Sequence, residues 1–164
     1  MRQPQTLTSV LLGTAALVGL LALVPAHAQG TKDIVDVAVA AGSFKTLVAA
    51  VQAANLVDVL KRPGPLTVLA PTDEAFAKIP KADLDALMKD KVKLAAVLQY
   101  HVLTGNVAAA DLKMMKDFGT VQGQRVRISS AGSVLKINNA TIIKADVPAS
   151  NGVIHVIDTV LMPK

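Results

Sequence analysis

Leu66 to Pro80 reads LTVLAPTDEAFAKIP, and its succession of apolar, capping and breaking residues decides the fold class. Leu66 to Ala70 is a short apolar run with a β-branched centre, bounded upstream by Arg62-Pro63-Gly64-Pro65. A run of that length between breakers reads as a buried strand. Pro71 ends it, because it has no N–H to give a ladder and biases Ala70 towards an extended backbone. Thr72 is placed to cap a helix, its hydroxyl accepting from the N–H of Glu74 or Ala75. Asp73 and Glu74 then sit where the helix dipole favours negative charge. Ala75, Phe76 and Ile79 supply the inward face, and Pro80 stops the helix. A strand feeds a capped helix, which is architecture rather than catalysis.

Upstream, Thr31 to Leu60 has helical spacing. Ile34, Val37, Ala38 and Ala41 follow a cap at Thr31 or Asp33, and Gly42 breaks the run. Ser43 is the expected cap of a second helix with Phe44, Leu47, Val48 and Val51 on its apolar face. Asn55 suits a left-handed stop before one more turn over Leu56 to Leu60. Residues 1–28 are set apart from this domain. Arg2, the apolar stretch Val10 to Val24 and Ala26-His27-Ala28 form a secretory signal peptide, too short to span a membrane comfortably. Cleavage before Gln29 takes 28 of 164 residues and leaves 136, enough for one domain covering 29–164. The chain has no Cys and no Trp, so an exported fold must rest on Val, Leu, Ile and Ala without disulfides.

Downstream, Ala82 to Met88, Val92 to Leu98 and Ala108 to Met115 read as short helices, the last with Leu112 and Met115 at i, i+3. From Phe118 the texture changes to strands. Phe118 to Val121, Arg125 to Ser129, Val134 to Ile137 and Thr141 to Ala145 are separated by Gln122-Gly123, Ala131-Gly132 and Asn138-Asn139, a meander of hairpins. Asn151-Gly152 is a further turn dipeptide, and Val153 to Ile157, apolar on both faces, belongs in the middle of a sheet.

The chain offers little for chemistry. It has no Gly-rich phosphate loop, nucleophile elbow or thiol, and beyond the signal segment its only histidines are His101 and His155. A metal site needs three or four ligands with mutual spacing. No catalytic residue, cofactor or metal is therefore expected. His155 alternates with Val153 and Ile157, which marks it as a core imidazole with a backbone or hydroxyl partner. Charge is more informative. The 17 basic and 12 acidic residues become 16 against 12 once Arg2 leaves, a balance of +4. Phe118 to Ala145 carries that excess alone, as Arg125, Arg127, Lys136 and Lys144 with no acidic residue. Alternation turns Arg125, Arg127 and Lys136 away from Val126, Ile128, Leu135 and Ile137, so a basic face towards solvent is expected. Its partner would be an anionic polysaccharide or an acidic surface. Export and the scarcity of stacking aromatics argue against nucleic acid.

Three segments in register resemble the fasciclin (FAS1) domain family. Thr67-Val68-Leu69-Ala70-Pro71-Thr72-Asp73-Glu74-Ala75-Phe76 looks like its first signature box. Tyr100-His101, preceded by Leu98 and followed by Gly105, resembles its central motif. Asn151-Gly152-Val153-Ile154-His155-Val156-Ile157-Asp158, with Val160, Leu161 and Pro163 after it, is similar to its second box. The resemblance covers about Thr31 to Pro163. It implies an α+β fold: a FAS1-type β-wedge of two sheets with a cluster of short helices along one edge. It also implies a secreted or surface-attached, non-enzymatic role in cell adhesion or extracellular-matrix contact, in the periplasm or outside the cell. Thr67, Pro71, Thr72, Phe76, Asn151, Gly152, His155 and Asp158 fall on boxes that are chiefly structural in the family, and Tyr100 and His101 on a region linked to adhesive contacts. The alternative function is carriage of a small apolar ligand, a pigment or lipid, in the Ala/Val/Leu-rich helical half.

Overall fold

A computed structural model describes residues 32–164. The signal segment, the cleavage point before Gln29 and Thr31 as a cap lie outside the described residues. The elements run α1 (Ile34–Ala41), α2 (Lys45–Ala53), α3 (Val57–Lys61), β1 (Leu66–Pro71), α4 (Asp73–Ala77), α5 (Lys81–Lys89), α6 (Lys91–Tyr100) and β2 (Val102–Thr104). They continue with α7 (Ala109–Met114), β3 (Asp117–Gly119), β4 (Arg125–Ala131), β5 (Val134–Ile137), β6 (Ala140–Ala149) and β7 (Gly152–Ile157). This is the expected α+β architecture.

The strands form one ladder in the order β2-β1-β7-β6-β5-β4-β3. First and last strands lie side by side: β1 pairs with β7 in parallel from Leu66↔Gly152 to Pro71↔Ile157, and every other pairing is antiparallel. β6 is the hinge of the wedge. Its start pairs with β5 and its remainder with β7, with register shifts at Ile142/Lys144 and Lys144/Val147. Such bulges bend a strand and let one strand serve two sheet directions. The outer strands then almost meet, through a Leu103↔Thr120 bridge and a 2.8 Å bond from Val121 N–H to the Val102 carbonyl.

Alternation along the two parallel strands sorts two cores. Leu69 and Ile157 point inside the curled sheet, where they join Leu103, Leu112, Val126, Ile137 and Leu161. Val68, Ala70, Ile154 and Val156 point out of it and are covered by α1, α2 and the α5–α6 pair, with Ile34, Leu47, Leu94 and Phe76 among their neighbours. The outer face of β4 and β5 has no such cover. There Arg125, Arg127, Ser129 and Lys136 are exposed while Val126, Ile128, Leu135 and Ile137 are buried.

Four local expectations are corrected. Ser43 does not cap α2; the cap position is Phe44, which supplies no side-chain bond. The helix expected to end at Leu98 runs on to Tyr100, and the chain turns into strand β2 directly after His101. Met115 lies beyond α7 and is exposed, because the helix ends after Leu112 has entered the core. The β6–β7 turn consists of Ser150 and Asn151, and Gly152 is already in strand, paired with Leu66 and Ala149. A Cβ on Gly152 would collide with the Leu66 carbonyl, so glycine is required there by close approach of two backbones.

Candidate functional site

The boxes named from the sequence converge as a set of polar ties between the helical layer and the sheet. Thr72 Oγ1 accepts from Ala75 N–H at 3.3 Å and caps α4. Asp73 caps a different helix: its carboxylate accepts from Thr46 N–H at 2.8 Å and Lys45 N–H at 3.3 Å, taking the place Ser43 leaves empty at α2. Partial burial pulls the Asp73 carboxyl upward, but these bonds outweigh it and hold the group below its ordinary range. Phe76 is buried against the helical layer, and Pro71 ends β1 opposite Ile157. Thr67, fully buried, donates to the Gly105 carbonyl at 2.8 Å and accepts from Val107 N–H at 2.9 Å, fixing the loop after β2.

The second box ties both ends of the same strand pair. Asn151 Oδ1 accepts from Ile34 N–H at 3.1 Å, and its Nδ2 donates to the carbonyls of Leu60 and Arg62. One side chain thereby joins the start of α1, the end of α3 and the β6–β7 turn. Asp158 accepts from Thr141 N–H at 2.8 Å and from the Thr159 hydroxyl at 3.0 Å, with Lys78 Nζ 3.8 Å away. Partial burial opposes the charge here too, yet the bonds from Thr141 and Thr159 hold the carboxyl below its usual range.

Both histidines are interior. His155 Nδ1 accepts from Asp146 N–H at 3.2 Å, so its proton sits on Nε2, which donates to the Val107 carbonyl at 2.8 Å. His101 has the opposite tautomer. Its Nε2 accepts from Leu161 N–H at 2.9 Å and its Nδ1 donates to the Val97 carbonyl at 2.7 Å. Burial lowers the His101 pKa to about 4, against the opposing pull of the Val97 carbonyl. Tyr100 is buried as well, its hydroxyl accepting from Asn138 Nδ2 at 3.0 Å and facing the Arg125 carbonyl at 3.4 Å. As contact candidates Tyr100 and His101 are therefore displaced. A macromolecular partner at the surface could not touch either side chain without opening the core.

Asn138 was legible only as a turn residue. It has a φ of 54°, and its Oδ1 and N–H close both backbone groups of Arg127, at 2.8 and 2.7 Å. Asp146, also at positive φ, holds His155 through its N–H and accepts from Ala109 N–H at 2.9 Å. A positive φ at Asn or Asp is only a weak preference in sequence.

Arg125, Arg127 and Lys136 do share an exposed face. Lys136 lies between Ser129 and Thr141 in the ladder, on the side opposite the buried Ile137. The shift at Ile142/Lys144 pairs Lys144 with Val156 and so returns it to the outer side of the sheet. The charge count changes in one respect: Arg125 Nη1 is 2.8 Å from Asp117 Oδ1, one residue outside the acid-free segment. Among the described residues, Arg127, Lys136 and Lys144 form no ion pair.

A second feature lies under α1–α3. A cavity of about 220 Å³ opens between these helices and the outer face of β1, β2 and β7. Of its lining residues only Arg62, Gln99 and His101 have polar side chains. Among the described residues no three His, Asp or Glu side chains gather as a metal set, and no helix is long and apolar enough to cross a membrane.

A family model described as the fasciclin domain matches residues 42–163. This chain belongs to the fasciclin domain family. An uncharacterized protein of Synechocystis, sll1735, is 46% identical over 130 residues, covering 79% of this chain and 97% of that protein. The transforming growth factor-beta-induced protein ig-h3 of Sus scrofa is 36% identical over 130 residues, 79% of this chain but 19% of that longer protein. Among solved structures, a FAS1 domain pair from the insect cell adhesion molecule Fasciclin I superposes with a TM-score of 0.61 at 22% identity, over 74% of this chain and 46% of that one. That likeness establishes the fold. Within it, the fasciclin boxes of this chain lie on the interior ties just described, and the exposed cations lie outside all three boxes.

Proposed function

We propose that this fasciclin domain is a secreted, non-enzymatic adhesion or matrix-contact module that meets an anionic polysaccharide through the outer face of β4 and β5. The observation that carries this reading is the uncovered strand face, on which Arg127 and Lys136 stand exposed and, among the described residues, outside any ion pair, Asp117 opposite Arg127 being engaged with Arg125. Cations so placed build a positive potential that attracts an acidic surface and is screened by salt. The family's adhesive role supports the kind of function, and Fasciclin I, which shares the fold, is named a cell adhesion molecule. Export rests on the signal segment 1–28, which would deliver residues 29–164 to the periplasm or the exterior. Retention on an anionic-polysaccharide column across a salt series tests the reading. Wild type should elute late at low salt, and the Arg127→Gln/Lys136→Gln variant earlier. Co-elution of the two would leave the cations as edge protection and solubility alone.

The cavity under α1–α3 favours a second reading, carriage of a small apolar ligand. Its volume of about 220 Å³ exceeds the roughly 150 Å³ of an engineered apolar cavity that stays dry and binds benzene.

A further inference from the structure

We propose that this cavity takes the hydrocarbon chain of a single-chain carboxylic acid whose carboxylate meets Arg62 at the mouth. The inference rests on the carrier reading and gives it a ligand class. Three observations carry it.

The interior of the cavity offers water little beyond the half-buried Gln99. The two nitrogens of His101 are both engaged with backbone groups, and among the described residues no buried side-chain nitrogen or oxygen lacks a partner. A buried water needs two to four polar partners, so an apolar occupant is favoured over solvent. Shape and size set the second condition. Scaling six benzene carbons in about 150 Å³ to this volume gives room for about nine carbons. A chain of that length fits, and a fused-ring or polyene pigment would have to leave most of its body outside.

The third observation is charge at the rim. Arg62 follows the last residue of α3, and the exposed turn Arg62-Pro63-Gly64-Pro65 borders the cavity. Its neighbour Lys61 is engaged, lying 3.4 Å from Asp33 and 3.7 Å from Asp36. Arg62 has no carboxylate within ion-pairing distance among the described residues, although Asp58 stands one turn back on α3. Its backbone, by contrast, is fixed, since Asn151 Nδ2 donates to the Arg62 carbonyl at 3.3 Å. An exposed arginine at the rim of an apolar chamber, outside any ion pair among the described residues, suits an amphiphile with one negative charge. The planar fork of arginine matches a carboxylate bidentately.

The test uses the full chain with decanoate and decanol, which have the same ten-carbon chain and differ in the head group, both kept below their aggregation limits. Binding is followed through the methyl resonances of Leu47, Val51 and Ile154, which line the cavity. Decanoate should shift these methyls saturably and bind about fivefold more tightly than decanol, the order expected of one partly exposed ion pair. Arg62→Gln should remove that preference and leave decanol unchanged. Val48→Phe, at the lining, should weaken both ligands, and the methyl map on wild type stands even if that variant does not fold. Equal affinity for acid and alcohol would overturn the carboxylate assignment and leave the carrier reading intact. No saturable shift at the lining methyls with either ligand would overturn both.

Discussion

The Nε2 of His101 accepts the N–H of Leu161 at 2.9 Å, across a separation of 60 residues. With Nδ1 donating to Val97 on α6, the ring clamps the C-terminal tail against the helix that precedes β2. A residue that the family resemblance marks for contact is thus an internal clasp. It works only while neutral, because a proton on Nε2 would set one N–H against another.

Acid should therefore loosen the fold through His101. Its ordinary pKa of 6.5 falls to about 4 in the folded state. The unfolded chain binds the proton first, so this stability is full above about pH 6.5 and is lost as pH falls through about 4. The shift corresponds to an order of 3 kcal/mol. Denaturant midpoints measured from pH 7.5 to 3.5 should drop across that window. A His101 ring that titrates near 6.5 by NMR would remove the explanation.

Two adjacent residues should separate cleanly by mutation. Thr72→Ala and Asp73→Ala should each cost on the order of 1 kcal/mol, the first by uncapping α4 and the second by uncapping α2. Amide exchange distinguishes them. Asp73→Ala should speed exchange at Lys45 and Thr46 while Thr72→Ala leaves those two amides protected. Equal effects of both changes at α2 would mean that Asp73 is not its cap.

Gly152→Ala should destabilise by roughly 1–3 kcal/mol or more, the range for forcing atoms into a filled site. The added methyl meets the Leu66 carbonyl, a backbone atom held in the parallel ladder. If the urea midpoint of this variant matched wild type, the close approach of β1 and β7 would be wrong.

Phe76→Ala should cost about 3–5 kcal/mol through the cavity it leaves, since the ring is buried in the core between helices and sheet. A loss no larger than that of a surface change would take Phe76 out of that core.

Much of this fold was legible because local signals and tertiary needs coincide. The run Leu66 to Ala70, the Thr72 cap, the left-handed Asn55 and the alternation Arg125-Val126-Arg127-Ile128 all read the same in sequence and in structure. What sequence could not show is where a side chain finds a distant partner. Asp73 reads as a first-turn acid of its own helix and instead caps one 27 residues upstream. Gly152 reads as a turn glycine, because nothing local announces that β1 will lie against it in parallel. The burial of Tyr100 followed from the curl of the sheet, which brings Asn138 and Arg125 over its hydroxyl. Asp117 lies one residue before the acid-free segment, and only the β3–β4 pairing shows that it stands opposite Arg127 and reaches diagonally to Arg125.

The fasciclin boxes hold the interior, and the partner we propose meets the uncovered strand face. Amide shift mapping with an anionic oligosaccharide at low salt tests this most directly. Saturable shifts are expected at Arg125 to Ser129, Val134 to Lys136 and Lys144, reversed by salt and lost in Arg127→Gln/Lys136→Gln. Saturable shifts centred on Tyr100, His101 and the helices, with the β4–β5 face unmoved, would contradict it.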